Sequence, residues 1–339
     1  MNTLNPDRVA IVVLLAAALL SAALIALLRP LLQRYALARP NARSSHVVPT
    51  PQGAGIAVIA ATLGIAGVSA GLTALAIPIA LFAATVFIAL VGFADDLRPI
   101  PVLPRLLLQA AAVGAIIFLA PAELRIVPAS PLWLERGLQL IAGLWFVNLV
   151  NFMDGLDLMT VAEAVPITGA MILLGWLGEL PALPALVAAA LCGAMIGFAP
   201  FNRPVAKVFL GDVGSLPIGL LLGWGLLQLA WHQELVAALL LPLYYIADAT
   251  LTLFRRVARG ESFWEAHRTH FYQRATDNGF TVSRITANVF VLNLALAALA
   301  IMSIGASAAV ARVLLLLGAL LVALMLFRSE ERRVGKECA

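Results

Sequence analysis

The sequence predicts an all-α, polytopic integral membrane protein with about eleven transmembrane helices, ten being the other count considered. Of its 339 residues, 62% are hydrophobic and only 12% are charged. Ordinary soluble domains carry charges on about a quarter of their residues, and disordered chains combine low hydrophobicity with high charge. The composition excludes both classes. The apolar residues also fall in runs close to the roughly 20 residues that a spanning helix needs.

Eleven apolar runs follow one another along the chain. Their continuous hydrophobicity favours helices over the alternating strands of a membrane β-barrel. The first run follows Arg8 and is too long for a typical signal-peptide core. Arg29 and Arg34 separate it from Ala36-Leu37-Ala38, which resembles a cleavage site, so an uncleaved first helix is predicted. The runs cover residues 8–28, 54–71, 73–94, 103–120, 136–152, 158–177, 183–200, 214–230, 235–254, 285–303 and 307–327.

Basic residues are distributed unevenly between the two sides of the membrane. With the N-terminus outside, all 22 Lys and Arg residues except Arg8, Arg125, Arg136 and Arg312 lie in or beside the inner loops or the tail. Cytoplasmic loops collect Lys and Arg, so these loops are predicted to be cytoplasmic. The same bias explains the net charge of +4 without nucleic acid as a partner. The inner loops are 29–53, 95–102, 153–157, 201–213 and 255–284.

Residues 1–328 are predicted to form one domain, because no linker, low-complexity tract or internal repeat divides them. The segment 329–339 departs abruptly from this composition and is either a polar tail or a foreign extension, so it receives no functional role. The two cysteines, Cys192 and Cys338, provide neither a disulfide framework nor the spacing of a metal site.

Two adjacent carboxylates, Asp95 and Asp96, end an apolar run on the inner side. Ionised groups beside a membrane are costly and tend to mark function, such as a metal, a proton or a cationic partner. Like charges this close raise the pKa of one member, which suits a general base. Two solvated loop aspartates would give the same pattern, so both interpretations remain open.

A second polar group ends the run 136–152. Asn148, Asn151 and Asp154 are spaced by three, so they are expected to share one face of a helix end. Gly155 permits the chain to turn before Asp157. Oxygen donors of this kind suit Mg²⁺ and its phosphate ligands, whereas helix capping explains only one of these residues.

A third group begins with Asn202 and ends with Phe209-Leu210-Gly211-Asp212-Val213-Gly214-Ser215. The glycines let backbone amides approach a ligand where the next helix begins, which favours phosphate. A metal or phosphate role is favoured for Asp212, while helix capping is an equal alternative for Ser215.

The longest inner loop contains His267-Arg268-Thr269-His270-Phe271-Tyr272-Gln273-Arg274. Arginine grips phosphate oxygens with two donors, so Arg268 and Arg274 are candidates for binding a diphosphate. Zinc is disfavoured, because no cysteine and no further nearby histidine completes a site. A lone Asp248 in the ninth run lies near Arg255 and Arg256, and an ion pair or a cap is at least as plausible there as catalysis.

The order of these motifs resembles the polyprenyl-phosphate N-acetylhexosamine-1-phosphate transferase family, of the glycosyltransferase family 4 type, over residues 8–327. The family includes bacterial enzymes that begin the synthesis of peptidoglycan, teichoic acid and O-antigen. The resemblance implies transfer of an N-acetylhexosamine-1-phosphate from a UDP-sugar to undecaprenyl phosphate, with Mg²⁺ as cofactor and Mn²⁺ as a substitute. It also implies the bacterial inner membrane and a cytoplasmic active site. The sequence does not give the oligomeric state, and a homodimer is one of the assemblies left open.

The resemblance also assigns roles to individual residues. Asp212 and Asn151 become the candidate metal ligands, and Asp95 and Asp96 are implicated in catalysis or in activating the lipid phosphate. Phe209 corresponds to the residue that packs on uracil. The remaining candidates are His267 and His270 for catalysis, and Asn148, Asp154, Asp157, Asn202, Arg268, Arg274 and His46 for substrate binding.

Two departures from the family pattern indicate the branch. Peptidoglycan-type members carry a His-His-His run, whereas this chain has His267 and His270 in a different setting, which favours O-antigen or a related surface polysaccharide. The loop Pro49-Thr50-Pro51 lacks the preceding lysine of those enzymes, a role that Arg43 or His46 could fill. The alternatives kept are a peptidoglycan or teichoic-acid type transferase and, in another class, a secondary transporter, whose charges are expected near the midplane.

Overall fold

A computed structural model describes residues 6–38, 49–261 and 268–331, and it is almost entirely helical. The helices are α1 (Pro6–Tyr35), α2 (Gly55–Leu72), α3 (Ile79–Leu97), α4 (Val102–Phe118), α5 (Leu132–Met153), α6 (Met159–Trp176), α7 (Ala182–Phe198), α8 (Asp212–Trp231), α9 (Leu235–Leu240), α10 (Leu243–Ala258), α11 (Phe271–Asp277), α12 (Val282–Ser303) and α13 (Ala308–Glu330). Two short strands, β1 (Leu37–Ala38) and β2 (Thr50–Pro51), pair antiparallel, and residues Ala199–Phe201 form one turn of 3-10 helix.

Helices occupy all eleven apolar runs, which confirms the predicted all-α membrane fold. In the described part of the chain, eight helices are long and apolar enough to cross a bilayer. Helix α4 is a shorter apolar helix. Helix α5 carries Glu135 and Arg136 in its first turns and Asn148 and Asn151 in its last turns.

The prediction of one continuous helix over 235–254 is wrong in its detail. The chain breaks there into α9 and α10, with Leu241 and Pro242 between them. Proline has no backbone N–H and its ring obstructs the preceding turn, so it interrupts a helix. The break separates a short apolar helix from α10, whose last turn carries Arg255 and Arg256.

The centre of the bundle is formed by α7 and α8, whose side chains are mostly buried, while α1 and α13 lie at its periphery. Small residues on α7 let α1 approach closely. A Cβ added to Gly193 would lie 2.0 Å from the carbonyl oxygen of Leu14, and one added to Gly197 would lie 2.2 Å from that of Ala18. The outward faces of α1 and α13 expose leucines such as Leu19 and Leu316, as expected for surfaces covered by lipid.

Candidate active site

Two loops that are distant in sequence pair through their backbones at one end of the bundle. The amide of Phe209 donates to the carbonyl of Pro51 at 2.7 Å, and the amides of Gly53 and Ala54 donate to the carbonyl of Phe209 at 3.1 and 3.0 Å. The amide of Gly55 donates to the carbonyl of Leu210 at 2.9 Å. The loop that contains Pro49-Thr50-Pro51 therefore shapes the segment that leads to Asp212.

The end of α3 contacts the beginning of α8 directly. Both oxygens of Asp96 accept backbone hydrogen bonds, from the amide of Asp212 at 2.9 Å and from that of Val213 at 3.0 Å. The side chain of Gln52 donates a third hydrogen bond to Asp96. Asp96 therefore caps α8 from a neighbouring helix, where the amides of a helix N-terminus favour negative charge.

Asp95 has different partners from its neighbour. Its carboxylate accepts hydrogen bonds from the backbone amide of Ile100 at 2.5 Å and from the guanidinium of Arg105 at 2.8 Å. The Arg105 ion pair is mostly shielded from solvent. Asp95 also lies within hydrogen-bonding reach of the Asp212 side chain. The two adjacent aspartates thus face different groups.

Asn151, in the last turn of α5, completes this arrangement. Its Nδ2 atom donates to Asp212 Oδ1 at 2.8 Å and to Ser215 Oγ at 2.9 Å. We call Asp95, Asp96 and Asp212 the carboxylate cluster. Arg105 contributes one positive charge to these three acidic side chains. The remaining negative charge suits a bound cation.

The candidate site offers few protein ligands for the implied Mg²⁺ ion. Within the described ranges, no group of three or more acidic, histidine or cysteine side chains is arranged to hold a metal ion. Mg²⁺ usually retains several waters and binds through one or two protein oxygens plus substrate phosphates. Asp212 and the amide oxygen of Asn151 satisfy that smaller requirement, so the residues present fit Mg²⁺.

The loop after α5 is fastened to the loop before α8. Asn202 is buried, accepts a hydrogen bond from the amide of Leu158 at 2.7 Å and donates to the carbonyl of Val208 at 3.0 Å. Asp157 accepts from the amide of Ala206 at 3.1 Å. Both predicted substrate-binding residues therefore order the loops around the site in this structure.

Asp154 lies at the end of α5 and accepts a hydrogen bond from the hydroxyl of Thr160. Part of its side chain remains accessible. Burial, opposed by the hydrogen bond from Thr160 and assisted by the negative charges of Asp96 and Asp157, raises the pKa of this carboxyl from 3.8 to about 7. Asp154 is therefore a carboxyl that titrates near neutral pH beside the carboxylate cluster.

The histidine loop is held by Asp248 of α10, which is fully buried. Its carboxylate accepts from the amides of Phe271 and Tyr272 at 3.0 and 3.1 Å, and lies 3.2 Å from Nδ1 of His270. Asp248 thus caps α11, so of the ion pair, the cap and the catalytic role considered for it, the structure shows the cap. Arg256 pairs with Glu261 instead. His270 is itself buried and stacks on Tyr272.

Tyr272 links this loop to the end of α5. Its hydroxyl donates to the carbonyl of Phe152 at 3.0 Å. Gly155 makes this contact possible, because a Cβ there would lie 2.2 Å from the Tyr272 hydroxyl. The segments carrying Asn151, Asp212 and His270 therefore meet at one end of the bundle.

Comparison with known proteins decides the family. Residues 78–230 match the model of "Glycosyl transferase family 4", a stretch that includes the whole carboxylate cluster and the Asn151 loop. The chain carries a glycosyl transferase family 4 domain over these residues. The family prediction made from the motifs is confirmed.

Two mycobacterial proteins are similar to this chain over three quarters of its length, and a third protein is similar over a shorter stretch. The decaprenyl-phosphate N-acetylglucosaminephosphotransferase of Mycobacterium tuberculosis is 27% identical over 296 residues, which cover 75% of this chain and 72% of that protein. The Mycobacterium leprae protein of the same name is 26% identical over 299 residues, 75% of this chain and 73% of that protein. The phospho-N-acetylmuramoyl-pentapeptide-transferase of Oceanobacillus iheyensis is 42% identical over 72 residues, 21% of this chain and 22% of that protein.

Three predicted site residues have partners in the structure that the sequence did not indicate. Asn148 is buried and donates to Gln109 of α4 at 2.8 Å, whereas Asn151 donates to residues of α8. Arg268 pairs with Asp277 at 3.1 Å, and Arg274 pairs with Glu330 of the polar C-terminal segment at 2.8 Å. His267 and His46 lie outside the described residues.

The sequence did not single out several side chains that the structure places at the candidate site. Gln52 was only part of a turn-rich loop, and Tyr272 only part of the histidine motif. Thr160 and Arg105 received no role, although they contact Asp154 and Asp95. The available signal was the polarity of these residues beside apolar runs, which does not name their partners.

Proposed function

We propose that this protein transfers an N-acetylhexosamine-1-phosphate from a UDP-sugar to undecaprenyl phosphate and releases UMP. The observation that carries the proposal is a contact between three helices: Asp212 of α8 lies within hydrogen-bonding reach of both Asn151 of α5 and Asp95 of α3. This contact lies at the end of the bundle where the polar loops meet. The names of the relatives, which are phosphotransferases of N-acetylglucosamine or of an N-acetylmuramoyl-pentapeptide, support the same reaction class.

The proposed pathway is the first membrane step of O-antigen or related surface polysaccharide synthesis, on the cytoplasmic face of the bacterial inner membrane. The separation of His267 and His270 by two residues, in place of a His-His-His run, supports this branch. The concentration of Lys and Arg in the loops on the side of the site supports the cytoplasmic orientation.

The chemistry requires alignment more than covalent participation by the protein. An oxygen of the lipid phosphate attacks the β-phosphorus of the UDP-sugar, and the bond to UMP breaks, so that UMP leaves with the bonding electron pair. The second pKa of the lipid phosphate is about 6, so this phosphate is already mostly dianionic at neutral pH. Asp95, which is paired with Arg105, would orient the acceptor and need not act as a strong base.

Mg²⁺, or Mn²⁺ as a substitute, is the cofactor we propose, with Asp212 and Asn151 as its protein ligands. Because Asn151 donates through its amide nitrogen to Asp212 and Ser215, its amide oxygen is left for such a ligand role. When bound, the ion would neutralise the charge of the diphosphate. A covalent aspartyl-phosphate route is the alternative to direct attack, and a ping-pong exchange pattern would support it.

The test is a transfer assay with purified protein in lipid. Radiolabelled UDP-GlcNAc, UDP-GalNAc, UDP-FucNAc and UDP-QuiNAc are each incubated with undecaprenyl phosphate, with Mg²⁺ or with EDTA. We expect one donor to give a lipid-linked product that depends on Mg²⁺, and Asp212→Asn to lose at least about a hundredfold in rate, the scale on which removing a charge-stabilising group acts.

The matched control removes a carboxylate at the opposite end of the bundle. Glu123 is exposed between α4 and α5, and Glu123→Gln is expected to retain the wild-type rate. No lipid-linked product from any donor, together with an Asp212→Asn variant that behaves like Glu123→Gln, would contradict the proposed reaction. Accumulation of a labelled solute inside vesicles without a lipid-linked product would favour the transporter.

A further inference from the structure

The hydrogen bonds of Asp96 leave neither of its oxygens without a protein donor. Oδ1 accepts from the amide of Asp212 at 2.9 Å and from Nε2 of Gln52 at 2.5 Å, and Oδ2 accepts from the amide of Val213 at 3.0 Å. A carboxylate in this state is a helix cap supplied from another helix. Three of its roughly four acceptor sites are occupied, so binding an ion or accepting a proton from a substrate would compete with the hydrogen bonds that hold α8.

Two glycines make the arrangement sterically tight. A Cβ added to Gly92, one turn before Asp96, would lie 2.2 Å from the carbonyl oxygen of Asp212. A Cβ added to Gly211 would lie 2.7 Å from Asp96 Oδ2, and Gly211 has φ = +78°, a conformation that favours glycine. The backbones of α3 and α8 are thus in contact beside the hydrogen bonds between Asp96 and the first turn of α8. Displacement of the Asp96 carboxylate would therefore shift that turn.

Gln52 connects this cap to the loop before α2. Its backbone amide donates to the carbonyl of Ala36 at 2.8 Å, and its side chain donates to Asp96. The residue therefore bridges the segment after α1 and the end of α3. It is partly exposed at the site and belongs to the loop that pairs with Phe209.

We propose that Asp96 and Gln52 are positioning residues: they fix the first turn of α8 so that Asp212 presents its carboxylate to the divalent cation, and neither touches the substrate. The inference rests on the proposed function, since it assigns Asp212 to the cation. It separates the roles of the two adjacent aspartates, leaving Asp95 at the acceptor and Asp96 in the support of Asp212.

The experiment measures the affinity of the full chain for Mg²⁺ independently of turnover. The unfolding temperature of the protein in lipid nanodiscs is followed against Mg²⁺ concentration for the wild type, Asp96→Asn and Gln52→Ala. The pH profile of transfer is then recorded for each variant. We define the Mg²⁺ midpoint as the Mg²⁺ concentration that gives half of the maximal rise in unfolding temperature. Asparagine retains one acceptor oxygen, so Asp96→Asn is expected to lose part of the cap. Its Mg²⁺ midpoint should rise about tenfold, the equivalent of about 1.4 kcal/mol.

Gln52→Ala removes a single hydrogen bond and is expected to raise the Mg²⁺ midpoint by about two- to tenfold, matching a net loss of about 0.5–1.5 kcal/mol. High Mg²⁺ should restore most of the activity of both variants, with an unchanged pH profile. The matched control is Ser307→Ala, which removes the side-chain cap of α13. It should lower the unfolding temperature without moving the Mg²⁺ midpoint.

A wild-type midpoint in Asp96→Asn, with a rate that Mg²⁺ does not restore and a pH profile that has lost one limb, would identify Asp96 as a catalytic base and overturn the inference. If Asp96→Asn does not fold, an unchanged midpoint in Gln52→Ala overturns it equally. A wild type without Mg²⁺-dependent stabilisation and without product from any donor would instead contradict the proposed function itself.

Discussion

Nδ1 of His270 lies 3.2 Å from Oδ1 of Asp248, and this carboxylate also accepts the backbone amides of the next two residues. A carboxylate only accepts hydrogen bonds, so Nδ1 is the donor in this pair. One buried side chain of α10 therefore fixes both the orientation of the imidazole and the beginning of α11. The histidine loop is attached to the bundle through this contact.

Replacement of Asp248 is expected to release the histidine loop. Asp248→Ala leaves the amides of Phe271 and Tyr272 buried without an acceptor, and each such group costs about 1–3 kcal/mol. We expect a large fall in the unfolding temperature and loss of transfer, measured on the purified protein. Thr252→Val is the matched control, because it removes only the hydroxyl that donates to Asp248 at 3.3 Å. Equal behaviour of the two variants would contradict the anchoring role.

Substitution of Gly155 tests the contact between the loop after α5 and α11. In Gly155→Ala, the new Cβ would lie 2.2 Å from the Tyr272 hydroxyl, so one of the two segments must move. Overpacking of this kind costs about 1–3 kcal/mol, and the transfer rate should fall with stability. The double variant Gly155→Ala/Tyr272→Phe should recover part of the loss, since it removes the atom in conflict.

The control for this steric prediction is a glycine of α6 with open space around it. A Cβ at Gly169 meets nothing within 4 Å, so Gly169→Ala should be neutral or slightly stabilising, because alanine is the better helix former. A Gly155→Ala variant as stable as Gly169→Ala would show that the Tyr272 contact is not formed.

The fold followed from the sequence because hydrophobic length is a strong signal. A bilayer requires about 20 apolar residues per helix, and the chain repeats that pattern with few interruptions. The break at Pro242 was missed because the surrounding residues are as apolar as those of a continuous helix. The motif residues at the inner ends, such as Asn151 and Asp212, were found because polar groups there are rare enough to stand out.

Partners of individual side chains could not be predicted, since they depend on how helices distant in sequence pack. Asn148 and Asn151 have the same spacing signal, but one bonds to α4 and the other to α8. Likewise, Glu163 of α6 and Asn293 of α12 form a buried hydrogen bond of 2.6 Å that no local pattern indicates. Periodicity identifies which residues share a face, whereas the neighbour of that face is a property of the whole fold.

The elevated pKa of Asp154 predicts a pH-dependent stability. Burial is its main cause, and it moves the pKa from 3.8 to about 7 in the folded protein. Between these values the folded state holds a proton that the unfolded chain releases, so the free energy of unfolding falls as pH rises through this window. Asp154→Asn cannot titrate and should flatten this part of the profile, giving its largest relative stabilisation above about pH 7.

The measurement is the unfolding temperature of both proteins from pH 4 to pH 8 without divalent cations. Glu123→Gln provides the comparison, because it removes an exposed carboxylate at the opposite end of the bundle. This variant should keep the wild-type slope. Parallel profiles for the wild type and Asp154→Asn would contradict a neutral Asp154 below pH 7.

The contact between α1 and α7 gives a prediction that connects packing to the site. Gly193 and Gly197 are four residues apart, the spacing that brings membrane helices into backbone contact, and an alanine at either position would meet a carbonyl oxygen of α1. Gly193→Ala/Gly197→Ala is therefore expected to lower the unfolding temperature. It should also reduce transfer, because α1 leads to β1 and so to the loop of Gln52. Gly64→Ala, in open space on α2, should change neither quantity, and a double variant indistinguishable from Gly64→Ala would contradict the close contact.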